Sequence, residues 1–135
     1  MVSFGATTPS QPSADVGRAK QFYTDVLGFE IVASDDGFAL IRRDDATISI
    51  WGATDESWRR KLDPAKPVCS GAESFIAGTA SCSIAVNGID ELYAQCDARG
   101  IVHPNGKLHK TEWGTREFAV LDPDGNLVSF WESTS

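Results

Sequence analysis

The side chains that could carry chemistry are few, and their spacing matches no standard catalytic motif. The three cysteines, Cys69, Cys82 and Cys96, are odd in number and lack C-x-x-C spacing, which disfavours a disulfide framework and a zinc knot. The two histidines, His103 and His109, lie close together on one segment. The sequence holds no G-x-S-x-G elbow, glycine-rich phosphate loop or H-E-x-x-H motif. Aromatic side chains, including four tryptophans, are therefore the main candidates for a binding surface.

Length and charge limit the classes of partner. A chain of 135 residues suits one domain with a sizeable core, and its 41% hydrophobic and 23% charged residues are ordinary for a globular protein. A net charge of −7 disfavours nucleic acid and anionic membranes, and a cationic partner fits better, although acidity also serves solubility. No apolar run is long enough to span a membrane and no secretory signal is evident. We therefore expect a cytoplasmic protein.

The same order of elements is predicted twice along the chain. An extended segment over 6–12 precedes a helix over about 15–27, in which apolar residues recur at three-and-four spacing until Gly28 ends it. Three extended segments follow, separated by acidic turns, at 29–34, 38–42 and 46–51. The second set has a strand at 81–86, a helix from about Ile89 to Gly100, and strands at 101–104, 117–121 and 127–131. Each half is thus predicted to be a β-α-β-β-β module.

The predicted fold class is α+β, in a single domain over 1–135 built from two such modules. The modules cover 6–54 and 80–132, and a connecting loop over 55–79 joins them. The loop contains Trp58 and a basic cluster. Its length and composition are consistent with a lid or binding loop, or with a simple linker. A module this short usually cannot bury its own sheet face, so the two should pair within the chain or across a dimer.

Several runs of residues match one known family. They are Asp15-Val16, Phe22-Tyr23, Val26-Leu27-Gly28-Phe29, Trp113-Gly114-Thr115-Arg116-Glu117-Phe118 and Asp122-Pro123-Asp124-Gly125-Asn126. With these runs the chain resembles the vicinal oxygen chelate superfamily, which includes glyoxalases, bleomycin resistance proteins and dioxygenases. The W-G-x-R-E-F run, together with Phe38 after an acidic turn, makes it most similar to the bleomycin resistance branch. That resemblance implies an intertwined homodimer with two ligand clefts at the subunit interface.

The resemblance also implies where a metal ion would be held. Superfamily enzymes bind a divalent metal through His, Glu or Gln side chains on the first and last strands of each module. The positions counted from the matching landmarks are Thr8, Ser49, Ser81 and Ser129. Neutral hydroxyls are poor ligands for divalent ions compared with carboxylate or imidazole. The sequence therefore predicts no metal site and no cofactor.

Aromatic and small polar residues are predicted to line the clefts instead. Phe38 and Trp113 occupy the positions where the family stacks a flat group between one ring from each subunit. Strand alternation places Trp51 on the face of Ser49. The full set of predicted ligand-binding residues is Phe38, Ser49, Trp51, Trp58, Trp113 and Ser129, with Asp36 and Glu112 as acidic neighbours. Two alternatives remain open: the tryptophans fill a core, and the acidic residues are solvated turn residues.

The predicted function is binding of a small-molecule antibiotic of the bleomycin type, a cationic glycopeptide with a flat heteroaromatic group. The protein would withhold the drug from its target without modifying it, so no catalytic residue is assigned. One alternative is a superfamily enzyme, namely a lyase, a dioxygenase or a thiol transferase. Another is a binder of a different flat natural product such as an enediyne or a mitomycin.

Overall fold

The computed structural model describes residues 1–53, 78 and 80–134. Apart from Gly78, the predicted connecting loop over 55–79 lies outside the described residues, and Trp58 lies outside them with it. The described residues form two β-α-β-β-β modules with one four-stranded sheet each, as the sequence predicted. In this part of the chain, no helix has the length and apolar character needed to cross a membrane.

The first module has its helix between the first and second strands. Its elements are β1 (Ser10–Ser13), α1 (Val16–Asp25), β2 (Glu30–Asp35), β3 (Phe38–Arg43) and β4 (Ala46–Gly52). The sheet order is β1-β4-β3-β2, with β1 parallel to β4. Helix α1 begins after Asp15, whose Oδ1 accepts a 3.0 Å hydrogen bond from the Arg18 amide, an ordinary N-cap. The predicted first strand began at residue 6, whereas the ladder begins at Ser10 because only from there does the chain pair with β4.

The second module repeats this topology. Its elements are β5 (Ser81–Ala85), α2 (Ile89–Ala98), β6 (His109–Lys110), β7 (Thr115–Leu121) and β8 (Leu127–Ser133), in the sheet order β5-β8-β7-β6. The prediction of a regular strand at 101–104 was wrong. That segment contributes one isolated bridge, between Val102 and Val120, and the sixth strand lies further along. Pro104 has no amide proton to extend a ladder, and the Gly106 amide turns back to the His103 carbonyl at 2.9 Å.

Each sheet packs one face against its own helix and leaves the other open. In the first sheet Ala39, Ile41, Ile48 and Ile50 are buried with Tyr23 of α1. Corresponding residues of the second sheet and its helix are also buried, namely Ile89, Cys96, Phe118, Val120, Val128 and Phe130. Because successive side chains of a strand point to opposite faces, the residues between these positions lie on the open faces.

The turn between β7 and β8 joins the two modules within the chain. The Tyr23 hydroxyl donates to Oδ2 of Asp122 at 2.9 Å, and Nδ2 of Asn126 donates to the Pro12 carbonyl at 2.7 Å. Oδ1 of Asp124 accepts from the Ala14 amide at 2.9 Å and from Arg18 at 3.1 Å. The expected pairing of the two halves therefore takes place within one chain, through the D-P-D-G-N run.

Burial governs the protonation of this junction. It raises the pKa of the Asp122 carboxyl above its usual range, and hydrogen bonds donated by Tyr23 and Asn126 act against that increase. Burial, followed by the neighbouring charge of Asp122, also raises the pKa of the Tyr23 phenol. The phenol therefore stays protonated and remains the donor to Asp122.

Candidate functional site

A row of side chains crosses the open face of the first sheet. Phe38 of β3 pairs with Trp51 of β4, and on the two sides of this pair lie Asp35 of β2 and Pro12 of β1, which is buried. Phe38 is 39% exposed and Trp51 is half-buried. Trp51 therefore lies on the open face and outside the helix-facing core, which removes one alternative reading of this tryptophan.

The turn before Phe38 explains its position. Oδ1 of Asp35 accepts a 2.9 Å hydrogen bond from the Gly37 amide, which closes the Asp35-Asp36-Gly37 turn. Phe38 is the first residue of β3 after this turn, at the edge of the open face. Asp36 is an exposed residue of the turn itself, as its position in the sequence suggested.

The corresponding row of the second sheet contains a carboxylate. Glu117 of β7 pairs with Trp131 of β8, and His109 of β6 and Ala85 of β5 lie on the two sides of this pair. Trp131 is half-buried and lies outside the helix-facing core, like Trp51. Glu117 thus occupies in the second module the place that Phe38 occupies in the first.

Trp113 lies in the tight turn between β6 and β7. The Thr111 amide donates to the Thr115 carbonyl at 2.8 Å, and Gly114 has a positive φ of 88°, which closes a three-residue loop. The Gly114 carbonyl accepts from the Thr134 amide at 2.9 Å, so the loop is fastened to the end of β8. The Trp113 side chain is nevertheless 74% exposed. Trp113 is therefore a surface residue on a hydrogen-bonded turn, and the alternative that it fills a core does not apply to it.

Glu117 holds the Trp113 ring, although it is not among the predicted ligand-binding residues. Its Oε2 accepts a 3.1 Å hydrogen bond from the Trp113 indole and a 2.7 Å hydrogen bond from the Thr115 hydroxyl. Glu112, the acidic residue that was predicted instead, is exposed, and among the described residues no donor reaches its carboxylate. Glu112 lies in the turn, whereas Glu117 lies in β7 and pairs with Trp131 of β8.

Arg116, which precedes Glu117 in the W-G-x-R-E-F run, faces the helix. Its guanidinium forms two hydrogen bonds with the Asp90 carboxylate of α2, at 2.7 and 2.8 Å. These hydrogen bonds lower the pKa of Asp90 and raise the pKa of Arg116. Because both partners are exposed, the pair orients α2 and contributes little to stability. The run therefore combines a structural arginine with a glutamate on the open face.

The four positions that the resemblance gives for a superfamily metal site, Thr8, Ser49, Ser81 and Ser129, carry hydroxyls. Ser10 is the neighbour of Ser49, with the two Oγ atoms 2.8 Å apart, and Ser83 is the neighbour of Ser129. Thr8 precedes β1 and Ser81 is the first residue of β5, so Ser10 and Ser83 add further hydroxyls beside these predicted positions. Neutral hydroxyls do not fit a divalent metal, and no cluster of three or more His, Cys, Asp or Glu side chains that could hold one lies in the described ranges.

The two described cysteines are buried thiols. Burial and the charge of Asp122 raise the pKa of Cys82 to about 11, and burial also raises the pKa of Cys96. A nucleophilic cysteine needs a lowered pKa to form thiolate at neutral pH. These two residues therefore have a packing role.

One chain does not enclose the aromatic rings. A groove with a volume of about 680 Å³ lies between the modules and is lined by Phe29, Ala46, Ala85 and Leu92, among others. Phe38, Trp51 and Trp113 do not line it. The exposed rings thus belong to open faces, away from the cavity of the single chain.

Two modules of this topology, joined side by side with open sheet faces, define the vicinal oxygen chelate class of folds. The chain belongs to the Glyoxalase/Bleomycin resistance protein/Dioxygenase superfamily, whose family model matches residues 7–130.

Relatives and solved structures agree with this assignment. A bleomycin resistance protein of Geobacillus stearothermophilus is 50% identical over 124 residues, which cover 92% of this chain and 93% of that protein. A bleomycin-binding protein from Streptomyces verticillus, solved with copper(II)-bleomycin, is 28% identical with a TM-score of 0.70, covering 96% of this chain and 97% of that one. The lactoylglutathione lyase of Agrobacterium tumefaciens shares the fold at 19% identity, with a TM-score of 0.74 over 96% of this chain and 94% of that one.

Proposed function

We propose that this protein binds a bleomycin-type antibiotic and withholds it from its target without changing it chemically. The names of its relatives support this, since the Geobacillus protein is a bleomycin resistance protein and the Streptomyces verticillus protein was solved with the drug bound. The protein would act in the cytoplasm and would need no catalytic residue. Free drug falls by mass action once a tight binder is present at comparable or higher concentration.

The observation that carries the proposal is the chemistry of the open faces. Where a superfamily metalloenzyme would place ligands, both sheets carry serine hydroxyls, and beside them lie aromatic rings. Such a surface suits a flat ligand, because stacked aromatic pairs contribute about 0.5 to 1.5 kcal/mol beyond their burial. Trp faces also attract cations, by about 0.5 to 2 kcal/mol depending on desolvation.

The binding clefts are proposed to form between two copies of the chain. Phe38 and Trp113 are exposed and border corresponding hairpins of the two modules. In a homodimer, the first module of one subunit would face the second module of its partner, and each cleft would receive one ring of each kind. We also propose that the two subunits are intertwined, and the exposed side chains of Val2 and Phe4 in the N-terminal segment favour this arrangement.

Within each cleft we assign stacking to Phe38 and Trp113. Trp51, Ser49 and Ser129 form the walls, because they lie on the open faces. Asp36 is an exposed carboxylate at the cleft edge. We also assign ligand contact to Glu112 and Trp58. Glu112 would act through its charge, on the turn that carries Trp113.

Calorimetric titration with bleomycin, followed by mass spectrometry of the released drug, tests this function. We expect saturable binding with one drug per chain and recovery of an unaltered compound. The competing lyase function is tested with the hemithioacetal of methylglyoxal and glutathione, with and without added zinc or nickel. Turnover of that substrate without drug binding would overturn the proposal, and binding of an enediyne or a mitomycin alone would redirect it to another ligand.

A further inference from the structure

Glu117 has a geometry that suits it to a role in the binding site. Its neighbours along β7 face the helix side, because Phe118 is buried in the core and Arg116 is bound to Asp90 of α2. Glu117 therefore lies on the open face, and the pairing with Trp131 places its side chain beside an indole. A half-buried carboxylate in the middle of an aromatic row is costly unless hydrogen bonds or a cation compensate it.

The hydrogen bonds to this carboxylate are divided unevenly between its two oxygens. Oε2 accepts from both the Trp113 indole and the Thr115 hydroxyl. In the described part of the chain, no donor reaches Oε1. The Thr115 hydroxyl also lies 2.7 Å from the Thr111 hydroxyl, so the arrangement is braced from the start of the turn. One oxygen is thus occupied by the protein and the other is available on the open face.

We infer that Glu117 positions the Trp113 ring through Oε2 and accepts a charged N–H group of the ligand through Oε1. This inference rests on the proposed function for the ligand and on the structure alone for the ring. A side chain that is 74% exposed would otherwise sample several rotamers, and fixing it before binding removes that entropic cost. A hydrogen bond between a cationic donor and a carboxylate is about twice as strong as a neutral one, so Glu117 favours cationic ligands.

Substituting Glu117 by glutamine and by alanine separates the two roles. Glutamine retains an oxygen that can accept from Trp113 but removes the charge, whereas alanine removes both. Asp97→Asn is the control, because it removes one carboxylate charge from the exposed surface of α2, on the opposite side of the sheet from the open face. The ligands are bleomycin and a bleomycin derivative from which the cationic terminal group has been removed.

The position of the Trp113 ring is monitored in the absence of ligand. Its indole N–H resonance is observed in a ¹H–¹⁵N spectrum and assigned by comparison with Trp113→Phe. Glu117→Ala should move this resonance and speed its exchange with solvent, while Asp97→Asn should leave it in place. If Glu117→Ala leaves the resonance unmoved in a folded protein, the positioning role is wrong. If that variant does not fold, comparison of the two ligands with Glu117→Gln tests the role of Oε1, and the indole resonance of Glu117→Leu tests the role of Oε2.

The role of the Glu117 charge is measured as a change in ligand affinity. Glu117→Gln should weaken bleomycin binding by about tenfold and leave binding of the derivative without the terminal cation within about twofold, while Asp97→Asn changes neither by more than about twofold. Equal loss for both ligands, or an equal effect of Asp97→Asn, would contradict recognition of the cation by Glu117. A parent protein that binds neither ligand would overturn the proposed function, and with it the role of Oε1. The indole resonance would still test the role of Oε2.

Discussion

Phe38 and Glu117 occupy corresponding places in the two modules, since each is the cross-strand neighbour of a tryptophan, Trp51 for Phe38 and Trp131 for Glu117. The duplicated fold thus presents two similar surfaces with different chemistry. The first offers an exposed aromatic ring, and the second offers a carboxylate that holds another ring, that of Trp113. If the two surfaces face each other in a dimer, a flat cationic ligand would meet both.

Removal of the Trp113 ring should affect binding far more than folding. We expect Trp113→Ala to weaken drug binding by about tenfold or more, because losing one stacking ring costs about 1.4 kcal/mol in a desolvated site. Its free energy of unfolding should change little, since the side chain is 74% exposed. Phe118→Ala is the contrasting variant, and truncation of such a buried ring costs about 3 to 5 kcal/mol. Unchanged affinity for Trp113→Ala, measured by calorimetry, would show that the cleft lies elsewhere.

Removal of metal ions should leave the protein unchanged. The Thr8, Ser49, Ser81 and Ser129 hydroxyls do not provide the ligands of a superfamily metal site. We expect elemental analysis of purified protein to show no stoichiometric zinc, nickel, iron or manganese, and chelator to leave Tm unaltered. One bound equivalent per chain, with a lower Tm in chelator, would instead favour the enzyme.

The protein should be a dimer. The exposed rings of Phe38 and Trp113 lie outside the groove of the single chain, so a complete site requires a second copy. Sedimentation should give a mass of about 29 kDa, twice the 14.5 kDa of the chain. A monomer that binds drug at micromolar concentration would rule out the shared cleft.

Loss of the Tyr23 hydroxyl should weaken the junction between the modules in a pH-dependent way. Tyr23→Phe removes a donor to the buried carboxylate of Asp122 and should destabilise the fold by about 1 to 3 kcal/mol at neutral pH. The variant should raise the pKa of Asp122 further, because the hydroxyl acts to lower it. A raised folded-state pKa means that the folded protein holds its proton more tightly than the unfolded chain. The destabilisation should therefore shrink as the pH falls through the folded-state pKa of Asp122.

Denaturant unfolding of Tyr23→Phe and the parent at several pH values measures this difference. Tyr93→Phe is a suitable control, because Tyr93 packs edge-on against Phe118 and belongs to the second module alone. A loss of stability that does not vary with pH would show that the hydroxyl acts on something other than the Asp122 carboxylate.

The buried thiols should resist modification in the folded protein. In a Cys69→Ser background, Cys82 and Cys96 are the remaining thiols, and both have raised pKa values, about 11 for Cys82. We expect Ellman's reagent at pH 8 to react with them only after denaturant is added. Rapid reaction of the native protein at either thiol would mean that the site opens readily.

Much of the fold and part of the site can be predicted from the sequence, because their signals are local. The three-and-four spacing of apolar residues defines α1, with Asp15 as its cap, and Gly28 follows it with a positive φ of 72°. Alternation along a strand places Trp51 on the face of Ser49. The aromatic side chains and the serines of β4 and β8 are likewise read directly from the sequence and matched to the family pattern.

Tertiary structure decided what depends on pairing between distant segments. A slip of one residue moves a side chain to the other face of a sheet, so only the observed ladders show that Ser10 lies beside Ser49 and Ser83 beside Ser129. The same ladders place Glu117 beside Trp131, whereas Glu112 lies in the turn before β7. The hydrogen bond from Tyr23 to Asp122 joins residues 99 positions apart, and the turn chemistry of D-P-D-G-N gives no sign of it. Local propensity acts over a few residues, whereas register and contact between modules depend on how the whole chain packs.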